Sequence, residues 1–103
     1  MSSTSSETET HDIALVTPER WVVHHVLAAR IDEAIDIDER PPEWALEAFA
    51  AIESGGETET LTAEQIRHIA TLLESYLDDA PKRDVVYGSA VLERLEAAID
   101  AQV

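Results

Sequence analysis

The chain has no cysteine, a single lysine (Lys82) and only 5% aromatic residues. The first absence excludes a disulfide framework and any thiolate metal site, and leaves the redox compartment open. No apolar run approaches the roughly 18 residues that a membrane helix needs. The opening MSSTSSETETHD lacks a basic n-region and an apolar h-region, so it does not read as a signal peptide. A protein of the cytoplasm, with no membrane association, is expected. There is no phosphate loop, nucleophile elbow, dinucleotide fingerprint or calcium loop. With so few rings in a chain that is 45% hydrophobic, alanine, leucine, isoleucine and valine must do most of the packing. Small side chains suit closely spaced helices.

Basic residues are also scarce, 7 against 22 acidic ones, giving a net charge of −15. Such a chain repels itself in dilute salt and is screened in molar salt, where the Debye length falls to about 3 Å. Acid occurs in every segment and is not gathered into one tail. That distribution favours a cytosolic protein of a halophile over a mimic of nucleic acid. At 103 residues the chain is one domain, small enough that self-association would add useful burial.

Val16 to Ile35 is the longest apolar-periodic stretch. Thr17 is the expected N-cap, Pro18 fits the first helical position, and Glu19 complements the helix dipole. Val16 and Trp21 have the spacing of a hydrophobic staple. Val23, Leu27, Ala28, Ile31, Ala34 and Ile35 define the expected inner face, with His24 inside it and His25 outside. This helix should end near Ile37, before Arg40-Pro41-Pro42. A second helix should run from Pro42 to Ser54, with Ala45, Leu46, Ala48, Phe49 and Ile52 facing inward. A third should run from Ala63 to Asp79 and a fourth from Pro81–Asp84 to Ala101. Gly88 sits on the inner face of the last, where it permits a close approach.

Leu61-Thr62-Ala63-Glu64-Gln65-Ile66 repeats the helix-start logic of Val16 to Trp21, with Thr62 and Gln65 forming a capping box. The fold predicted is therefore an all-α domain of four helices, arranged as two hairpins with weak internal similarity. Hairpin one spans 17–54, a flexible linker 55–60, and hairpin two 62–101. Residues 1–12 are expected to form a disordered acidic tail, leaving 13–103 as the folded domain. Ile13–Val16 could be a brief extended piece beside Thr58–Leu61, or simply the lead-in to the first helix.

Candidate sites are few. His24 and His25 are helix neighbours about 100° apart, so both cannot chelate one metal from one face. The plain reading makes His24 a half-buried, hydrogen-bonded residue and His25 a surface one. Glu64 and His68 form the one carboxylate–histidine pair at i, i+4 within a predicted helix, a weak metal candidate because zinc takes three or four ligands. The pairs Asp36/Asp38 and Asp78/Asp79 read as solvated acids. Lys82 and Arg83, with Arg67 and Arg94, would support nucleic-acid binding only if they shared one face. Trp44 lies off the inner stripe of its helix and is the expected partner contact.

Three stretches, Pro18-Glu19-Arg20-Trp21-Val22-Val23-His24-His25-Val26-Leu27, Pro41-Pro42-Glu43-Trp44-Ala45-Leu46 and Leu61-Thr62-Ala63-Glu64, resemble a small acidic protein family of haloarchaea. That family carries only a domain-of-unknown-function label. The resemblance spans about residues 13–100 and implies a helical domain in a halophilic cytosol. It implies no activity and supplies no functional residue. The function expected is a non-enzymatic helical interaction module or small regulatory partner, without cofactor, binding a protein partner or a second copy of itself. The alternatives are a nucleic-acid-associated regulator, and a metalloprotein or hydrolase using His24 or His68.

Overall fold

A computed structural model describes residues 9–100. Two short strands precede the two helical hairpins: β1 (Thr10–Ala14) leads into α1 (Thr17–Asp36) and α2 (Glu43–Ser54), and β2 (Thr58–Thr62) into α3 (Ala63–Leu77) and α4 (Lys82–Asp100). The strands pair antiparallel, with Asp12 opposite Thr60 at the centre of the register. The four predicted helices are present, with α1 packed on α2 and α3 on α4, but the all-α expectation is corrected by this two-stranded sheet. The 55–60 linker is corrected too, since Thr58–Thr62 is a strand. Thr10, His11 and Asp12 belong to β1 and not to a tail, and the Glu9 carbonyl before them accepts from Ala63 N–H; residues 1–8 of the expected tail lie outside the described residues, as does the predicted helix end at Ala101.

The physical reason for β2 is its alternation. Thr58, Thr60 and Thr62 are β-branched and turn outward, while Glu59 and Leu61 turn inward and are buried. The ladder continues at both ends, through Leu15 N–H to the Glu57 carbonyl and Ala63 N–H to the Glu9 carbonyl, each at 2.9 Å. Thr60 Oγ1 donates to Asp12 Oδ1 across the outer face at 2.8 Å.

α1 begins one residue earlier than expected, and the N-cap is Val16, not Thr17. Strand alternation carries through the junction: Leu15 turns inward, Val16 outward. Val16 has no side-chain acceptor, so the capping is one-sided, with its N–H donating to Glu19 Oε1 at 3.0 Å. The first staple does not form a buried contact, because Val16 and Trp21 are both exposed. The second start follows expectation. Gln65 N–H donates to Thr62 Oγ1 at 3.1 Å, Thr62 N–H donates to Gln65 Oε1 at 2.9 Å, and Leu61 and Ile66 are buried in the core.

α1 ends in a left-handed cap. Asp38 has φ 63°, Glu39 N–H donates to the Ala34 carbonyl and Asp38 N–H to the Ile35 carbonyl, the bond pair of a Schellman motif. α2 starts after Pro42, which occupies its N-cap.

The core lies between the hairpins. Val22, Val23, Val26 and Leu27 of α1 meet Ala48 and Ile52 of α2, Ile66, Ile69 and Leu73 of α3, and Val91 and Leu95 of α4. Ile13, Leu15 and Leu61 close it from the ribbon side. Ile35 and Leu46, both expected inside, are exposed. α1 touches each of the other three helices, so its inner face is set by three partners and not by one stripe. Gly88 is buried as expected, with the Leu77 side chain so close that a Cβ would lie 2.7 Å from it.

Candidate functional site

The described residues form several open clefts, and the sequence-predicted candidates fall into separate ones. Trp44, from the first turn of α2, is half-buried and lies flat on the His68 ring of α3, with centroids 4.2 Å apart and planes 9° apart. His68 Nε2 lies 3.9 Å from Glu64 Oε2. Trp44 and Glu64 thus border one shallow cleft, shared with Glu43 and Glu47. The structure brings together the expected partner contact and the weak metal pair. Among the described residues no group of three or more histidine and acidic side chains is placed to hold a metal ion.

His24 is half-buried, packed against Phe49 at 4.6 Å and edge-on to Trp21 at 5.3 Å, with Nε2 3.3 Å from Glu53 Oε2. Its half-burial and its contact with a carboxylate are as expected. The cleft beside it is lined by Arg20, Trp21, His24, Ile52 and Glu53, a set without a hydroxyl or thiol nucleophile. His25 is exposed, its ring 5.0 Å from that of Tyr76.

The four cations considered for nucleic acid have different surroundings. Arg94 donates to Glu19 and, at 3.0 Å, to the Ala14 carbonyl. Arg83 Nε lies 3.8 Å from Asp84 on the opposite part of α4, eleven residues or about 16 Å along the helix from Arg94. Lys82 is exposed beside Arg83, and Arg67 is half-buried on α3.

Two features were missed by sequence reasoning. The first is a buried charge network under the ribbon. Glu19 is almost fully buried against Arg94. Hydrogen bonding from Arg94 holds the Glu19 carboxyl below the usual carboxylate range against the opposing effect of burial, with Val16 N–H and the Arg94 charge adding to the lowering. The same contact raises the Arg94 guanidinium. Glu59 is buried, with Oε2 3.5 Å from Arg20 Nε. A charge pointing inward from a two-stranded ribbon, and an arginine on its outermost carbonyl, are both devices that discourage edge-to-edge pairing.

The second is an aromatic cleft of about 500 Å³ where the starts of α1 and α4 meet the end of α3. Trp21, His25, Tyr76 and Tyr87 supply its rings, and Arg83 and Asp84 its charges. The Tyr76 hydroxyl donates to Asp84 Oδ2, and this bond is the main reason its phenol is raised above the ordinary tyrosine value. The only sequence signal was Trp21 at the margin of the α1 inner face; its two tyrosine companions lie more than fifty residues away.

These features define a small helical domain, two hairpins launched from a two-stranded ribbon, with open clefts at its helix ends. The chain belongs to the family of unknown function designated DUF7853, which matches residues 13–96. No match was found among curated proteins or among solved structures. No helix among the described residues is long and apolar enough to cross a membrane.

Proposed function

We propose that this protein is a non-enzymatic helical interaction module, a small regulatory partner in the cytosol of a halophile, that docks a protein or a second copy of itself. One observation carries the reading: α1 leaves two large apolar side chains, Trp21 and Ile35, exposed on one side, with His25, Ala28 and Asp32 between them. Trp21 is 63% exposed and Ile35 59% exposed, and at 100° per residue they fall about 40° apart on the same side of the helix. Fourteen residues separate them, so the two anchors stand about 21 Å apart along the helix. Isolated apolar side chains on a surface are ordinary, but a tryptophan and an isoleucine aligned along one helix face form an anchor for a partner. The scarcity of lysine and the net charge of −15 support the halophilic setting, because an acidic surface remains hydrated while salt screens its self-repulsion. Trp44, stacked on His68 and flanked by Glu43 and Glu47, is a second partner contact in this reading.

The test is affinity capture from a high-salt lysate, paired with sedimentation equilibrium of the purified chain. Wild type should retain a defined protein or self-associate. Ile35→Glu should reduce that association at least about tenfold with unchanged helicity, and Trp44→Ala should reduce it by a smaller factor. A wild-type chain that is monomeric and captures nothing specific would overturn the reading.

A further inference from the structure

Five aromatic side chains are present in the whole protein, and three of them, Trp21, Tyr76 and Tyr87, line the single cleft at the start of α1 and α4. Its volume, about 500 Å³, lies within the range of small-ligand sites. The rings come from three helices, α1, α3 and α4, so the fold gathers π surface that is dispersed in sequence. The His25 ring sits 5.0 Å from Tyr76. The carboxylate of Asp84 stands in the same wall, anchored by the Tyr76 hydroxyl.

Ring faces carry negative quadrupole density and attract cations, tryptophan most strongly. A carboxylate among such rings adds formal charge of the same sign. The surrounding field points the same way, because a net charge of −15 concentrates cations near the surface and repels anions. A hydrated metal ion would need several oxygen ligands, and Asp84 is the one carboxylate lining this cleft. A weakly hydrated organic cation loses less on entering a ring-lined space. We propose that the cleft formed by Trp21, Tyr76, Tyr87 and Asp84 binds an alkylammonium group, either a free small cation or the methylated lysine side chain of a partner.

Arg83 is the group that opposes this assignment, and its geometry shows how it yields. Its side chain is 85% exposed and reaches Asp84 only at 3.8 Å. The entering ammonium takes over Asp84, and the guanidinium turns into water. Arg83 therefore acts as a competitor at the rim, and removing it strengthens binding.

The probe is choline chloride, compared with its neutral isostere 3,3-dimethylbutan-1-ol at constant ionic strength in KCl. Binding is followed through the Trp21 indole and tyrosine ring signals by NMR. Choline should produce a saturable shift, and the neutral isostere should bind at least about tenfold more weakly. Trp21→Ala should weaken choline about tenfold, Trp21→Phe by a smaller factor, and Asp84→Asn several-fold, while Arg83→Gln should tighten it. Equal response to choline and its isostere, absence of saturation, or an unchanged affinity in Trp21→Ala would each overturn the proposal. A tripeptide with trimethyl-lysine at its centre forms the second arm; whichever of the two ammonium probes binds more tightly identifies the source. Trp21 belongs to both readings, but Ile35 and Trp44 do not line this cleft and Asp84 does, so Ile35→Glu tests the interaction reading and Asp84→Asn this proposal separately.

Discussion

Arg94, near the end of α4, donates to the carboxylate of Glu19 in the first turn of α1 and to the carbonyl of Ala14, the last residue of β1. One side chain thus ties the last helix to the start of the first helix and to the edge of the ribbon. Glu19 holds a second backbone donor, Val16 N–H, so its charge is doubly used. Glu19→Gln keeps the shape but removes the charge. It should destabilise the fold by about 1–2 kcal/mol, less than a sealed ion pair would lose, because the Arg94 side chain is 40% exposed and can rehydrate. The sign of the pH effect follows from the lowered carboxyl of Glu19. Its stabilisation is present above the ordinary glutamate range and is lost as pH falls through its depressed value. Denaturant titrations at neutral and acidic pH should show the wild-type advantage over Glu19→Gln shrinking toward acid.

Gly55 follows α2 in an ordinary extended conformation, φ −75° and ψ 168°. Its backbone therefore does not require glycine; the space does. A Cβ placed there would lie 1.4 Å from Glu59 Oε2, and Glu59 is buried beside Arg20. Gly55→Ala should push that carboxylate off Arg20 and cost about 1–3 kcal/mol. In a double-mutant cycle with Glu59→Ala the two losses should be clearly less than additive, since removing the carboxylate opens the space. Full additivity would show that Gly55 is needed for another reason.

Asp38 is a non-glycine residue at φ 63° in the cap that closes α1, and its charge sits at the negative end of the helix dipole. Both features cost stability. Asp38→Gly should raise the unfolding free energy by about 1 kcal/mol, measurable as a higher denaturant midpoint with unchanged slope. A lower midpoint would mean that the Asp38 side chain makes a stabilising contact.

Self-repulsion among 22 acids should make folding depend on salt. Helicity by circular dichroism and the thermal midpoint should both rise from dilute buffer to molar KCl, with most of the gain complete once the Debye length is only a few ångströms. A flat response would count against the halophilic setting.

The order of the four helices and their pairing into hairpins were legible because their signals are local. Thr62 and Gln65 cap α3 with their own side chains, Pro42 and Pro81 stand before α2 and α4, and Ile66, Ile69, Ala70 and Leu73 keep a single period because α3 shows one face to the core. β2 was legible only as one of two alternatives, Thr58–Leu61 beside Ile13–Val16, for an equally local reason. Its inward positions are Glu59 and Leu61, and a buried glutamate breaks the apolar–polar alternation by which a strand is recognised; only the threonines at 58, 60 and 62 marked it.

What the sequence by itself determined was the helical content, the points where helices start and stop, and the acidic surface, all set by propensity, capping and composition over a few residues. Tertiary structure alone decided that Glu19 and Glu59 would be buried, because their partners Arg94 and Arg20 come within reach only when α4 crosses β1 and α1 packs on the ribbon. It also decided that Trp21 would face solvent above Tyr76, Tyr87 and Asp84. The angle at which two hairpins meet fixes which rings share a cleft, and that angle comes from the summed packing of side chains far apart in the chain.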